Sequence, residues 1–111
     1  MPKENRLTRK KDFDTVFKGG QSAKYDFLIV KVIKNHLPEK RFGFVVSKKV
    51  SNKAVVRNSV RRRLQNTVFN ILRDVQSSVD VVIITLPGIE KLGFSEIEKS
   101  VGQVFKKLKL I

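Results

Sequence analysis

The sequence predicts a small α+β fold, a two-layer sandwich in which helices cover a mixed sheet in the order α-β-β-β-α-β-α. Three observations predict it. Residues 25 to 34 (YDFLIVKVIK) and 79 to 86 (VDVVIITL) are dense in β-branched and aromatic residues over a strand's length. Residues 41 to 47 alternate at period 2, with Phe42, Phe44 and Val46 set against Gly43, Val45 and Ser47. Elsewhere apolar residues recur every three or four positions, the period of a helix with one buried face. At 111 residues the chain has room for one core, so residues 1–111 read as a single domain.

Residues 1 to 7 (MPKENRL) are polar and basic and read as a flexible tail. A helix follows, with Thr8 as its N-cap, Phe13, Val16 and Phe17 at i, i+3 and i+4, and Gly19-Gly20 as a left-handed stop. After the strand at 25 to 34, residues 35 to 40 (NHLPEK) are a turn, which sets the strand at 41 to 47 antiparallel to the first. Ser51-Asn52 is turn chemistry. A long helix then spans about 55 to 74, with Val56, Val60, Leu64, Val68 and Ile71 on one stripe. Ser77-Ser78 breaks that pattern, and the strand at 79 to 86 is apolar at most positions, as a central strand would be. Pro87-Gly88 is a turn. Ser95 and Glu98 form a capping box for the last helix, whose stripe is Ile97, Val101, Val104 and Leu108. The strand at 41 to 47, the long helix and the strand at 79 to 86 make a βαβ unit, right-handed by the general rule.

The formal charge is +14, from 24 Lys and Arg against 10 Asp and Glu. A domain this basic points to nucleic acid, and an anionic membrane surface is the weaker reading. No apolar run approaches the roughly 18 residues of a spanning helix, and no apolar segment follows the basic N-terminus as in a secretory signal. With no cysteine there are no disulfides and no thiolate metal sites, and the cytoplasm is the simplest location.

The charge is concentrated. Between Lys40 and Asp74 there is no carboxylate, while Lys48, Lys49, Arg57, Arg61, Arg62 and Arg63 all fall there. On a helical wheel Asn58, Arg61, Arg62 and Gln65 share the side opposite the apolar stripe, with Phe69 beside them. An ordinary solvated helix face would carry acidic partners one turn away. These arginines also sit in the first turns, where the helix dipole disfavours cations, so the arrangement points to an external anion. The lysines at the end of the last helix, by contrast, are explained by that helix's own dipole. Phe13 and Phe17 read first as core packing, with a second use as a stacking wall for single-stranded RNA.

Catalytic constellations are missing. Asp12 and Asp14 point to different sides of their helix, His36 is a lone histidine beside a proline, and Gly19-Gly20 lacks the Lys-Ser/Thr of a phosphate loop. These residues describe a protein that binds and does not do the chemistry itself.

The sequence resembles the bacterial ribonuclease P protein family over most of its length. Two motifs in order carry the resemblance: Arg6-Leu7 followed by Asp12-Phe13 and Val16-Phe17-Lys18, and then Val46-Ser47-Lys48-Lys49-Val50, Ala54-Val55-Val56-Arg57-Asn58 and Val60-Arg61-Arg62. The resemblance implies a fold like the second domain of ribosomal protein S5, with a left-handed βαβ crossover against the general rule. It implies a subunit of an endoribonuclease whose RNA, with Mg²⁺, hydrolyses the 5′ leader from precursor tRNA, with no small-molecule cofactor. Its partners are then the ribonuclease P RNA and precursor tRNA, with no membrane. Arg57, Asn58, Arg61, Arg62, Lys48 and Lys49 are implied to contact the catalytic RNA. Phe13, Phe17 and Lys49 are implied to line the leader cleft, and Arg6, Arg9, Lys10 and Arg63 to add basic contacts. The chain departs from the family pattern at Ser59, at Gln65 and at Val30-Lys31, and no role is assigned to Gln65 or Val30. A ribosomal or structural RNA-binding protein with no part in cleavage is the alternative that composition leaves open.

Overall fold

The computed structural model describes residues 1–75 and 78–111. Its elements are α1 (Lys10–Gly19), β1 (Gln21–Tyr25), β2 (Leu28–Lys34), β3 (Arg41–Val45), α2 (Ala54–Asn70), β4 (Val79–Thr85) and α3 (Phe94–Lys107), in the predicted order. The four strands form one mixed sheet ordered β1-β2-β4-β3. β2 and β4 are antiparallel, with Leu28 opposite Thr85 and Lys34 opposite Val79. β3 and β4 are parallel, with Arg41 opposite Asp80 and Val45 opposite Ile84. β3 therefore runs opposite to β2, as its short connection requires, but β4 lies between them.

Apolar side chains on both of its faces make β4 suitable for that central place. Val79, Val81 and Ile83 join Leu28, Val30 and Val32 of β2 and Phe42 of β3 on one side. The stripe of α2 (Val60, Leu64, Val68) and that of α3 (Ile97, Val101, Val104, Phe105) close over them, and Phe42 and Phe105 stack at 6.2 Å. Val82 and Ile84 face the other way and meet Leu7, Phe13 and Val16, so α1 alone covers that side.

A polar network ties α1 to the sheet. Arg41 donates through Nε and Nη2 to the two carboxylate oxygens of Asp80 at 2.8 and 2.6 Å, and through Nη1 to Asp12 at 3.3 Å. Asn35 Nδ2 adds a bond to Asp80 Oδ1 at 2.8 Å. Asp80 is buried, and its hydrogen bond is the main cause that holds the Arg41 guanidinium above the ordinary arginine range. Asp12 is thereby a structural residue, and Asp14 on the other side of the helix is exposed.

Several local expectations are corrected. The segment read as one strand at 25 to 34 is the second arm of a hairpin: β1 begins at Gln21 and ends at Tyr25, Asp26 turns the chain at φ 56°, and β2 begins at Leu28. Thr8 does not cap α1; the N-cap position is Arg9, without a side-chain bond. Gly20 is extended rather than left-handed, and its requirement is room, because an added Cβ would lie 2.8 Å from the carbonyl oxygens of Val16 and Val32. The last helix is capped at Gly93, two residues before Ser95, and Glu96 Oε1 accepts the Gly93 N–H at 3.1 Å. Gly88 does supply the expected turn, at φ 110°. The pattern break at Ser77 falls outside the described residues.

The N-terminal segment is packed rather than loose. Asn5 is buried and donates Nδ2 to the Lys40 carbonyl at 2.7 Å, and the Leu7 N–H donates to the Phe42 carbonyl at 2.8 Å. Arg6 thereby bridges to Phe42 as a short parallel extension along the free edge of β3.

Candidate nucleic-acid interface

The side of the sheet under α1 is thinly covered, and the first candidate surface forms there. Gly43 gives Phe13 its place: a Cβ at Gly43 would stand 2.5 Å from the ring, so the strand must present bare backbone for the ring to lie on it. One turn later Phe17 is 41 % exposed, its ring 6.5 Å from that of Phe13 and tilted by 43°. Ile33, Val45 and Ile84 are half-buried beside them. Phe13 is thus both packing and surface, while Phe17 is mainly surface.

The carboxylate-free segment approaches the same place from the other side of β3. After Val45 the chain makes a tight loop in which the Val50 N–H donates to the Ser47 carbonyl at 3.1 Å and the Lys49 N–H to Ser47 Oγ at 3.3 Å. Arg57, in the first turn of α2, donates Nη1 to the carbonyls of Ser51 and Asn52, both at 3.0 Å. That clamp fixes the loop against the helix. Arg61 extends over Asn58, donating to its Oδ1 at 2.7 Å.

Arg61 and Gln65 then meet Phe13, Gly43, Phe44 and Arg6 around a groove of about 230 Å³. The structure therefore joins one residue from the aromatic pair with one from the arginine cluster across the edge of β3. Arg62 is exposed one position further round the helix, and Arg9 and Lys10 are exposed at the start of α1. Lys48 and Lys49 are exposed on the loop and do not line this groove. Arg63 points elsewhere, donating Nη1 to the Leu92 carbonyl at 3.1 Å on the α3 side. Val30 is fully buried in the main core, whereas the strand alternation sets its neighbour Lys31 on the α1 side.

Gln65 was given no role by the sequence, yet it lines the groove; its place one turn after Arg61 was the available signal. Gly43 carried a signal too, a lone glycine inside an apolar strand.

Among the described residues both ion pairs belong to Arg41, and none of Lys48, Lys49, Arg57, Arg61 or Arg62 has a carboxylate partner. A row of uncompensated cations beside an aromatic wall suits a polyanion with stackable bases. Among the same residues no three His, Cys, Asp or Glu side chains come together as metal ligands, and no helix is long and apolar enough to cross a membrane.

The sequence model of one protein family, described as Ribonuclease P, matches residues 1–109. The chain belongs to the ribonuclease P protein family. It is 37 % identical over 110 residues to the ribonuclease P protein component of Streptococcus pneumoniae (strain Hungary19A-6), covering 99 % of this chain and 89 % of that protein. Among solved structures it is similar to the RNase P protein of Staphylococcus aureus, with a TM-score of 0.86 at 25 % identity, over 96 % of each chain. It is also similar to the RNase P protein of Thermotoga maritima in complex with 1-(4-fluorophenyl)-2-thiourea, with a TM-score of 0.84 at 25 % identity. That match covers 92 % of this chain and 98 % of the other. The mixed four-stranded sheet with three helices is thus the fold of ribonuclease P proteins, and the family places the chain in tRNA processing.

Proposed function

We propose that this chain is the protein subunit of a ribonuclease P, that it binds both the catalytic RNA and the 5′ leader of precursor tRNA, and that it thereby assists magnesium-dependent removal of the leader. The observation that carries this reading is the groove at the β3 edge, where Phe13 and Arg61 face one another although they come from opposite ends of the motif pattern. Phe13 and Phe17 offer ring faces on which leader bases stack, a sequence-tolerant interaction that suits leaders of many sequences. Arg61 and Arg62, with Lys48 and Lys49 on the adjoining loop, neutralise phosphates of the catalytic RNA and release counterions. Arg57 holds the loop in place through its two backbone bonds, which makes it a positioning residue for those lysines.

In this reading Mg²⁺ is held mainly by the RNA, which carries out the hydrolysis. The protein's contribution is to hold the leader and the catalytic RNA in register, so that scissile phosphate and metal meet at a lower magnesium concentration.

The test is cleavage of a precursor tRNA at low magnesium by the protein alone, by its cognate ribonuclease P RNA alone, and by both together. Cleavage confined to, or strongly raised in, the mixture is expected. An unchanged rate on adding the protein would sink the proposal, and cleavage by the protein alone would reassign the chemistry.

A further inference from the structure

A second groove, of about 690 Å³, lies further along α2 between the helix end, the β2–β3 turn and the buried Asn5. It contains Phe69, which is 51 % exposed and is the aromatic side chain most open to solvent among the described residues. Phe69 stands one turn beyond Gln65 and two beyond Arg61, about 12 Å along the helix from Arg61, so the two grooves follow one another along the same helix. Asn5 lines this groove and its neighbour Arg6 lines the first, so the N-terminal segment forms a continuous wall to both.

The polar groups around Phe69 differ from those around Phe13. Asn70 and Arg73 are exposed donors, while Glu39 and Asp74 are exposed acceptors. Asn5 and Lys40 already use their side chains to bind the backbone, Asn5 on the Lys40 carbonyl and Lys40 on the Val75 carbonyl at 2.6 Å, and so form a fixed floor. Two carboxylates make the groove a poor phosphate site. A ring face next to mixed donors and acceptors instead matches a nucleobase, whose face stacks and whose edge carries both kinds of group. α2 itself, Ala54–Asn70, has no acidic residue, so the approach along the helix is favourable to a polyanion throughout.

We infer that the Phe69 groove is a second base-stacking subsite for single-stranded RNA, and that it holds leader nucleotides beyond those in the Phe13 groove. The inference rests on the reading that this protein binds a single-stranded leader. Phe69 supplies the stacking face, and Asn70, Glu39 and Asp74 meet the base edge. Leader length is therefore read by the protein: short leaders occupy the first groove and longer ones both.

The test uses the isolated full chain and fluorescently labelled single-stranded oligoribonucleotides of about five and about ten nucleotides, with affinity read by anisotropy. The wild-type protein is expected to bind the longer one more tightly. Phe69→Ala is expected to weaken the longer oligomer by about 5- to 150-fold, to leave the shorter one unchanged, and to unfold at the wild-type temperature. Phe69→Tyr, which keeps a ring face, restores affinity. Equal affinity of wild type and Phe69→Ala for the longer oligomer overturns the subsite and leaves the first groove standing. Failure of the wild type to bind either oligomer overturns the leader-binding reading and the subsite with it. A Phe69-dependent dimer in sedimentation, with oligomer affinity unaltered, assigns the surface to a second copy of the chain instead.

Discussion

The two faces of the sheet are built to different standards. One is closed by two helices over a continuous core that reaches from Leu28 to Leu110, and nearly all its aliphatic side chains are out of water. The other has one ten-residue helix over a small cluster of Leu7, Val16 and Val82, and it leaves Phe13, Ile33, Val45 and Ile84 half-covered. The difference shows how a chain of this size separates its tasks. Burial on the closed face supplies stability, and the open face can keep apolar and cationic groups accessible because the fold does not depend on covering them.

The largest predicted effect lies on the closed face. Phe105→Ala removes the ring stacked on Phe42 and is expected to cost about 3 to 5 kcal/mol in urea denaturation. Affinity for RNA, measured on the protein that remains folded, should hardly change; a parallel loss of affinity would show that the faces are not independent. Asp80→Ala comes next, because it strips Arg41 of its main partner. Arg41 keeps 23 % of its side chain in water and retains Asp12, so a loss of about 2 to 4 kcal/mol is expected rather than the full cost of breaking a buried pair. Alkaline titration offers no shortcut: the raised Arg41 value means its stabilisation is complete below the unfolded arginine range and is lost only above it, beyond any working pH.

Gly43→Ala tests the boundary between the faces. Its Cβ would meet the Phe13 ring at 2.5 Å, so the ring has to swing off the strand, at about 1 to 3 kcal/mol of stability. Leader affinity should fall with it, and a variant that is destabilised yet binds a leader oligomer normally would remove Phe13 from the interface. Arg62→Ala should give the smallest change in stability, within about 0.5 kcal/mol, since its side chain is exposed and has no carboxylate partner. Its signature is instead a decrease of about 1 in the slope of log affinity for the catalytic RNA against log salt. An unchanged slope would return Arg62 to an ordinary solvated position.

What was legible in the sequence follows from what each residue had to satisfy locally. The stripes of α2 and α3 and the apolar run of β4 were readable because every third, fourth or successive side chain enters one core. β1 was not. Gln21, Ser22 and Lys24 are exposed on an edge strand that buries almost nothing, so no pattern marked them. The insertion of β4 between β2 and β3 was equally hidden, because pairing between distant strands leaves no local trace.

The site was half legible. The wheel put Asn58, Arg61, Arg62 and Gln65 on one side, where Asn58 meets Arg61 and Arg61 and Gln65 line one groove, and the family motifs named Phe13 and Phe17. It could not show that Arg61 shares a groove with Phe13 while Arg63, two residues on, is drawn to the Leu92 carbonyl. That separation depends on where α3 and its preceding turn sit, which only the tertiary arrangement decides.

The position of β4 also governs how the chain can be made. It is the last strand to leave the ribosome and the one on which both β2 and β3 depend. Until Thr85 has emerged, the β1–β2 hairpin and β3 have no common partner, and the basic helix between them has no sheet to pack on. Folding must therefore wait for pairings between residues far apart in the chain, which slows it relative to a fold of local hairpins. A nascent chain halted before β4 would present its unpaired strands and its uncompensated arginines together, in a compartment full of ribosomal RNA.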